Sequence, residues 1–324
     1  MKGTQKVVTM QNVITRSPMT GSTPHFSILI PLVSSVDRGL ILEVLDALRD
    51  QAGNSWSYEA VLPDRRDDEI SARIRRDYSE ARLIRVPVGT PIPAMLTQAL
   101  SAARGNWVAV TEDHCIPSVG WLNAFAVALR NPEVAAVGGP VRNAAHTTLL
   151  DRATFFCEYL AFHGHGGGGE GVVQPGGLAG MNFCCRRSDL SKADPTRLAS
   201  EFWERSALPA LTADGGSLFM DHSAMVRHAK SFPLSLFLHQ RYLYSRAYAG
   251  LQLTVARRMV HAFLAPLLIP LLIMRHGRAA LGSRGLFLKW LATVPLQLLF
   301  YTAWAWGEVV GAAWGPGDAL GRIE

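Results

Sequence analysis

Hydrophobic and polar positions change rhythm several times along the chain, and each change marks an element. Phe26–Leu32 (FSILIPL) is a short apolar run with β-branched members, the pattern of a buried strand. Leu40–Gln51 then repeats apolar positions at helical spacing. Ser57–Leu62 (SYEAVL) predicts a second strand that ends at Pro63 and Asp64, and Arg82–Val86 a third. Pro93–Ala103 reads as a helix closed by Gly105, and Asn106–Thr111 (NWVAVT) as a fourth strand. Trp121–Arg130 predicts a helix and Val134–Val141 (VAAVGGPV) another strand. Farther on, Glu201–Asp214 reads as a helix up to Gly215, Leu218–Val226 as extended chain and Leu234–Ala249 as helix. Strands alternating with helices predict an α/β domain with a mostly parallel sheet. Its ligands should gather beyond the carboxyl ends of the strands.

The rhythm is lost after about Met259. Met259–Met274 (MVHAFLAPLLIPLLIM) is apolar throughout, slightly short for a spanning helix and interrupted by Pro266 and Pro270. Trp290–Trp306 is uncharged and long enough with its apolar flanks, and Trp290, Trp304, Trp306 and Trp314 cluster toward its ends. Two such runs with little polar face predict membrane attachment rather than a pair of soluble core helices. Their topology stays open. Two crossings would put Arg275, Arg278 and Arg284 outside, against the positive-inside tendency; a single crossing would send the tail with Glu308, Asp318 and Glu324 out; a hairpin would enter and leave one leaflet.

Composition changes this picture little. Charged residues make up 18% of the chain and hydrophobic ones 48%, enough for a sizeable core. The net charge of +6 comes without the basic stripe and interleaved aromatics that nucleic-acid binding needs. The cations gather at Arg65–Arg85 and around the apolar runs, where Arg257, Arg258, Arg275, Arg278 and Arg284 suit either solvent or anionic lipid. Cys115, Cys157, Cys184 and Cys185 show no zinc spacing and read as reduced thiols. No signal peptide is evident, so the domain is expected at the cytoplasmic face of the inner membrane. Gly166–Gly169 lacks the following Lys-Ser/Thr of a phosphate cradle and reads as a loop, and His163 and His165 within it lack a third ligand.

Four landmarks carry a family resemblance: FSILIPL followed by a helix ending in Gln51; SYEAVLPD; GNWVAVTEDHCIPSVGWL; and NPEVAAVGGPV followed by GLAGMNFCCRR. Between about Phe26 and His228 the chain resembles the inverting family-2 glycosyltransferases, which have the GT-A fold. The resemblance implies a catalytic domain over 25–232; the residue pattern adds a leader over residues 1–24, an amphipathic connecting helix over 233–258, membrane-associated helices over 259–314 and a tail over 315–324. It implies transfer of a sugar from a nucleotide-diphosphate donor, with inversion, to a lipid-linked or glycan acceptor at the membrane.

The family's acidic metal-binding element corresponds to Glu112, Asp113 and His114, with His in place of the last Asp. Glu112 and His114 are therefore the expected ligands of a divalent metal, Mn²⁺ or Mg²⁺, and imidazole favours Mn²⁺. Pro31 lies at the end of the first strand, and Asp64 is the nearest match to the residue that contacts the donor base, with Asp67 and Asp68 as fallbacks. The general base corresponds to Glu204, with Trp203 where the family has Glu, and Glu201 is the second candidate about one helical turn earlier. Asn182 and Arg186 match the acceptor side, Arg186 and Arg187 suit a phosphate, and His228 matches a His near the donor phosphates. Leu238–Tyr244 (LHQRYLY) keeps only the Gln240 of the processive QxxRW element, which favours single transfer. A non-catalytic membrane scaffold of the same fold and a nucleotidyltransferase of related fold are the alternatives.

Overall fold

The computed structural model describes residues 23–51, 56–144, 148–163, 171–173, 178–252, 254–282 and 284–324. Residues 1–22 of the expected leader over 1–24, the four-glycine run and His165 lie outside the described residues.

The first half alternates strand and helix. β1 (Phe26–Leu29), α1 (Leu40–Gln51), β2 (Tyr58–Asp64), α2 (Glu69–Asp77), β3 (Ala81–Arg85), α3 (Ile92–Ala102) and β4 (Trp107–Val110) follow in order. α1 forms because Ile41, Val44, Leu45 and Leu48 recur on one face and are buried beside the sheet. α2 starts at a capping box, in which Asp68 accepts from the Ser71 backbone and the Ser71 hydroxyl reaches back. β1, β2, β3 and β4 pair in parallel with β1 between β2 and β4, so their carboxyl ends lie together.

The chain then departs from simple alternation. β5 (Cys115–Pro117), α4 (Trp121–Ala128), β6 (Val134–Gly138), β7 (Val141–Asn143) and α5 (Leu149–Tyr159) come first. β8 (Gly171–Val173), β9 (Phe183–Arg186), α6 (Arg187–Leu190), α7 (Pro195–Ser200), α8 (Trp203–Thr212), β10 (Ser217–Met220) and β11 (Val226–His228) follow. The main sheet has the order β3-β2-β1-β4-β9-β6-β10-β8, and β5-β11-β7 forms a smaller sheet. β9 runs antiparallel to both neighbours, β4 and β6, and holds Cys184 and Cys185 at the centre of the sheet.

Two runs expected as single strands are each divided. Val134–Val141 splits into β6 and β7 at Gly139, whose backbone touches Ala224 so closely that a Cβ would stand 1.8 Å from its carbonyl oxygen. Leu218–Val226 splits into β10 and β11 at a turn where Asp221 accepts from the Ser223 N–H at 2.7 Å. Both divisions pass the chain from the large sheet to the small one, which period-two patterning alone does not encode.

The C-terminal part is helical: α9 (Leu234–Gln252), α10 (Val255–Leu264), α11 (Leu268–Ala280), α12 (Arg284–Trp314) and the short α13 (Ala319–Arg322). Arg257–Ala280 and Arg284–Trp314 are long and apolar enough to cross a membrane by length and composition. α9 and α12 cross in close contact at Gly307 and Gly311, where a Cβ would stand 2.0 Å from Ser245 Oγ and 2.2 Å from the Arg246 carbonyl oxygen. After α12 the chain returns to the sheet. Glu324 accepts from the Ser35 hydroxyl at 2.7 Å, and Arg65 donates to the carbonyls of Gly321 and Ile323 at 3.0 and 2.7 Å. The tail thus lies on the side of the α/β domain.

Candidate active site

A cavity of about 830 Å³ opens where the parallel strands end, and it extends between α8, α9, α11 and α12. Pro31 and Val33 line it after β1, Glu112 and His114 after β4, Gly180 before β9, and Glu204 on α8. Sequence positions separated by more than 170 residues therefore share one space.

The three residues after β4 take different positions. Asp113 is buried, and its oxygens accept from the N–H groups of Val33 and Ser34 at 3.0 and 3.1 Å and from the Ser34 hydroxyl at 2.6 Å. It also meets His114 Nδ1 at 2.8 Å and the buried Arg66 guanidinium at 3.6 Å. Burial alone would raise the Asp113 pKa, but the His114 bond, the charges of His114 and Lys230 and the Ser34 bond outweigh it and hold it well below the carboxylate range. Asp113 is thus a tie between strand ends and an orienter of His114.

With Nδ1 held by Asp113, His114 presents Nε2 to Glu112 Oε2 at 3.2 Å. Burial would lower the His114 pKa, but hydrogen bonds to Asp113 and Glu112 outweigh it and raise it. A carboxylate oxygen and an imidazole nitrogen side by side, with a second carboxylate behind the ring, form a donor set suited to a divalent cation. The ligating atoms of Glu112, His114 and Cys115 lie within 4.8 Å of one another. Burial pushes the Cys115 thiol far up, so it contributes least to such a set.

Glu204 stands in the first turn of α8 and its Oε1 accepts from the Tyr244 hydroxyl of α9. Tyr244 is fixed in turn by stacking on Phe202, with ring centroids 4.3 Å apart. The other carboxylate oxygen faces Gly180, where an added Cβ would stand 3.0 Å from it. Glycine at 180 leaves the room that this carboxylate occupies.

Other expected site residues lie elsewhere. Glu201 precedes α8 in extended conformation rather than occupying its first turn, so the same-face argument fails. It pairs with Arg197 at 3.0 Å. Asn182 is fully buried, accepts from the Trp121 indole N–H at 2.9 Å and donates to the Gly139 and Ala224 carbonyls at 3.0 and 2.8 Å. These bonds use it as a joint between α4, β6 and β11, away from the cavity. Arg186 pairs with Trp107 across β9 and β4, at the opposite end of the strands from Glu112. Its guanidinium donates to the carbonyls of Leu129, Asn131 and Val134 and so fastens the end of α4.

Asp64 is buried at the end of β2, where Oδ1 accepts from the N–H groups of Arg66 and Asp67 and Oδ2 has no partner. Asp67 pairs with Arg75 and Arg85, and Asp68 caps α2. His228 is buried with its ring 4.8 Å from that of His114. Burial, with the charges of His114 and Lys230, pushes its pKa well down.

Sequence reasoning missed four groups. Tyr244 holds Glu204; Glu158 lines the cavity and pairs with Arg241 at 2.8 Å; Lys230 is buried without a hydrogen-bond partner. The Arg241 guanidinium lies 4.6 Å from the Trp304 ring centroid, which joins α9 to α12. Only LHQRYLY, where Tyr244 stands in place of the family Trp, carried a signal for any of them.

The profile of glycosyl transferase family 2 matches residues 27–190. No curated protein matches the chain. Among solved structures, the chain is similar to the mannosyltransferase PcManGT from Pyrobaculum calidifontis in complex with GDP-Man and Mn²⁺. Identity is 16%, the TM-score 0.48, and 70% of this chain and 63% of that one are covered. It is also similar to S. aureus TarS, at 15% identity and a TM-score of 0.47 over 75% of this chain and 43% of that one. The chain thus spans less than two thirds of the length of either.

Proposed function

The chain belongs to glycosyl transferase family 2, and from that premise we propose that it moves a sugar from a nucleotide-diphosphate donor to a membrane-associated acceptor, with inversion. The observation that carries this reading is the single cavity shared by Glu112, His114 and Glu204. It supports a donor at the strand ends and an acceptor on the α8–α9 side.

Glu112 and His114 would hold a divalent cation, which when bound neutralises charge on the leaving nucleoside diphosphate. Asp113 keeps His114 in position through Nδ1, Pro31 borders the space proposed for the nucleotide, and Asp64 stands behind it, bridged to Leu32. Glu204 acts as general base. The acceptor oxygen forms a bond to the anomeric carbon as the bond from that carbon to the diphosphate oxygen breaks. The electron pair leaves with the diphosphate, and the acceptor proton passes to Glu204. The Tyr244 hydroxyl, kept protonated by burial and by Glu204, holds one carboxylate oxygen and leaves the other for this proton.

A screen of nucleotide-sugars for Mn²⁺-dependent thermal stabilisation and turnover tests the reading. Stabilisation by one donor, with turnover lost in Glu204→Gln, is expected. Binding without turnover by the native protein would make the chain a non-catalytic relative, and release of pyrophosphate from a nucleoside triphosphate would make it a nucleotidyltransferase.

A further inference from the structure

We infer that α10, α11 and α12 do not cross the bilayer but lie in the plane of its surface, seating one apolar face in the headgroup–acyl boundary of an anionic leaflet. This goes beyond the transferase reading and does not depend on it.

The first observation is where the helices touch the α/β domain. A hairpin that crossed twice would carry its tip about 30 Å away, on the far side of the hydrocarbon. Instead Ala280 is fully buried, and Leu286, Phe287 and Trp290 pack into the main core cluster that contains Phe155, Phe156 and Leu160. Halfway along α12, Gln297 donates to the Ala153 carbonyl of α5 at 2.8 Å, and Phe300 meets Phe237 of α9 at 4.6 Å. Beyond α12 the tail is bonded to Ser35 and Arg65. Tip, middle and end of the hairpin all rest on the α/β domain. For the helices to cross, α5 with Arg152 and Glu158 and α9 with Gln240 and Arg246 would have to enter the hydrocarbon beside them.

The second observation is what remains uncovered. Met259, Phe263, Leu267, Leu271 and Met274 recur every three to four residues along α10, the 3-10 turn Ala265–Leu267 and α11, with Phe263 86% exposed. Only 11% of the most apolar window of Arg257–Ala280 is buried. A soluble surface rarely leaves such a stripe open.

The third observation is charge. From Arg257 to Trp314 the sequence has six Lys or Arg residues and one acid, Glu308, which is buried against Trp304 and His261. Arg257, Arg275, Arg278, Arg284 and Lys289 are exposed. An apolar stripe rimmed by exposed cations complements an anionic lipid surface, the one acid of these helices being buried. The cavity also reaches this side, since Leu268, Leu272 and Arg275 line it.

The test uses the full chain with sealed vesicles of phosphatidylglycerol and phosphatidylcholine, or of phosphatidylcholine alone. Co-flotation with the anionic vesicles and little with the neutral ones is expected. Phe263→Glu, at a position too exposed to be needed for folding, should weaken flotation about tenfold or more, as should Met259→Glu. A Gly282→Cys variant on right-side and inverted membrane vesicles locates the tip. In-plane seating predicts labelling by an impermeant maleimide from the side that exposes the α/β domain. Labelling only from the opposite side would overturn the inference in favour of two crossings. Equal flotation with neutral vesicles would overturn its charge basis. Failure to float, with a concentration-dependent dimer broken by Phe263→Glu, would make the stripe a surface for a second copy.

Discussion

The strand-end half of the cavity and its helical half are built by different means. At the strand ends, polar side chains are locked by hydrogen bonds to backbone: Asp113 to Val33 and Ser34, and Asp64 to the turn after β2. On the helical side, position is set by aromatic stacking and close helix packing, as Phe202 and Tyr244 hold Glu204 and the glycines of α12 admit α9. Backbone bonds fix atoms at short range and tolerate little change. Packing holds whole helices and spreads a change over many contacts. The proposed donor side should therefore fail locally on substitution, and the acceptor side through the geometry of its helices.

The largest expected effect separates the two halves. Glu204→Gln should lower turnover about 10²- to 10⁴-fold while leaving Mn²⁺-dependent donor stabilisation in place. Glu112→Ala should do the reverse at the first step, removing that stabilisation as a chelator does to the native protein. If both variants lose donor binding alike, the division between halves is wrong.

Next comes a joint outside both halves. Asn182→Ala leaves the Trp121 indole N–H and two well-aligned backbone carbonyls unpaired in the interior, at about 3 kcal/mol in denaturant unfolding. Gly307→Ala tests the helical half. A Cβ 2.0 Å from Ser245 Oγ forces α12 away from α9, at about 1–3 kcal/mol, and turnover should fall with donor stabilisation unchanged. The smallest effect is at Glu201, whose ion pair with Arg197 is at the surface. Glu201→Ala should change stability by less than about 1 kcal/mol and leave turnover intact.

Much of the α/β domain was legible because its signals are local. β1 to β4 with α1 and α3, and the Glu112–His114 stretch at a strand end, each occupy one short window of sequence, whereas α2 was not foreseen. Asp113 shows where this stops. Its partners lie about 80 residues away, so sequence alone ranks it beside Glu112 as an acid facing the donor, whereas folding turns it inward. Arg186 fails through strand direction: β9 is antiparallel to β4, so the run that begins near the cavity at Gly180 ends at the opposite edge. Glu201 fails by one boundary, because α8 begins two residues after it. Apolar runs in α11 and α12 read directly as membrane-seeking. The contacts that fasten α12 to α5 and α9 join residues more than 60 positions apart, and no window holds both.

The paired cysteines at the centre of the sheet give the protein an internal clock. Cys184 and Cys185 sit on β9, the strand that joins the β1–β4 half of the sheet to the β6–β10 half, and both are fully buried with burial pushing their thiols far up in pKa. A thiol in that state reacts with an alkylating reagent only when the sheet opens around it. The rate of their modification therefore reports how often the two halves of the sheet part, without any engineered label.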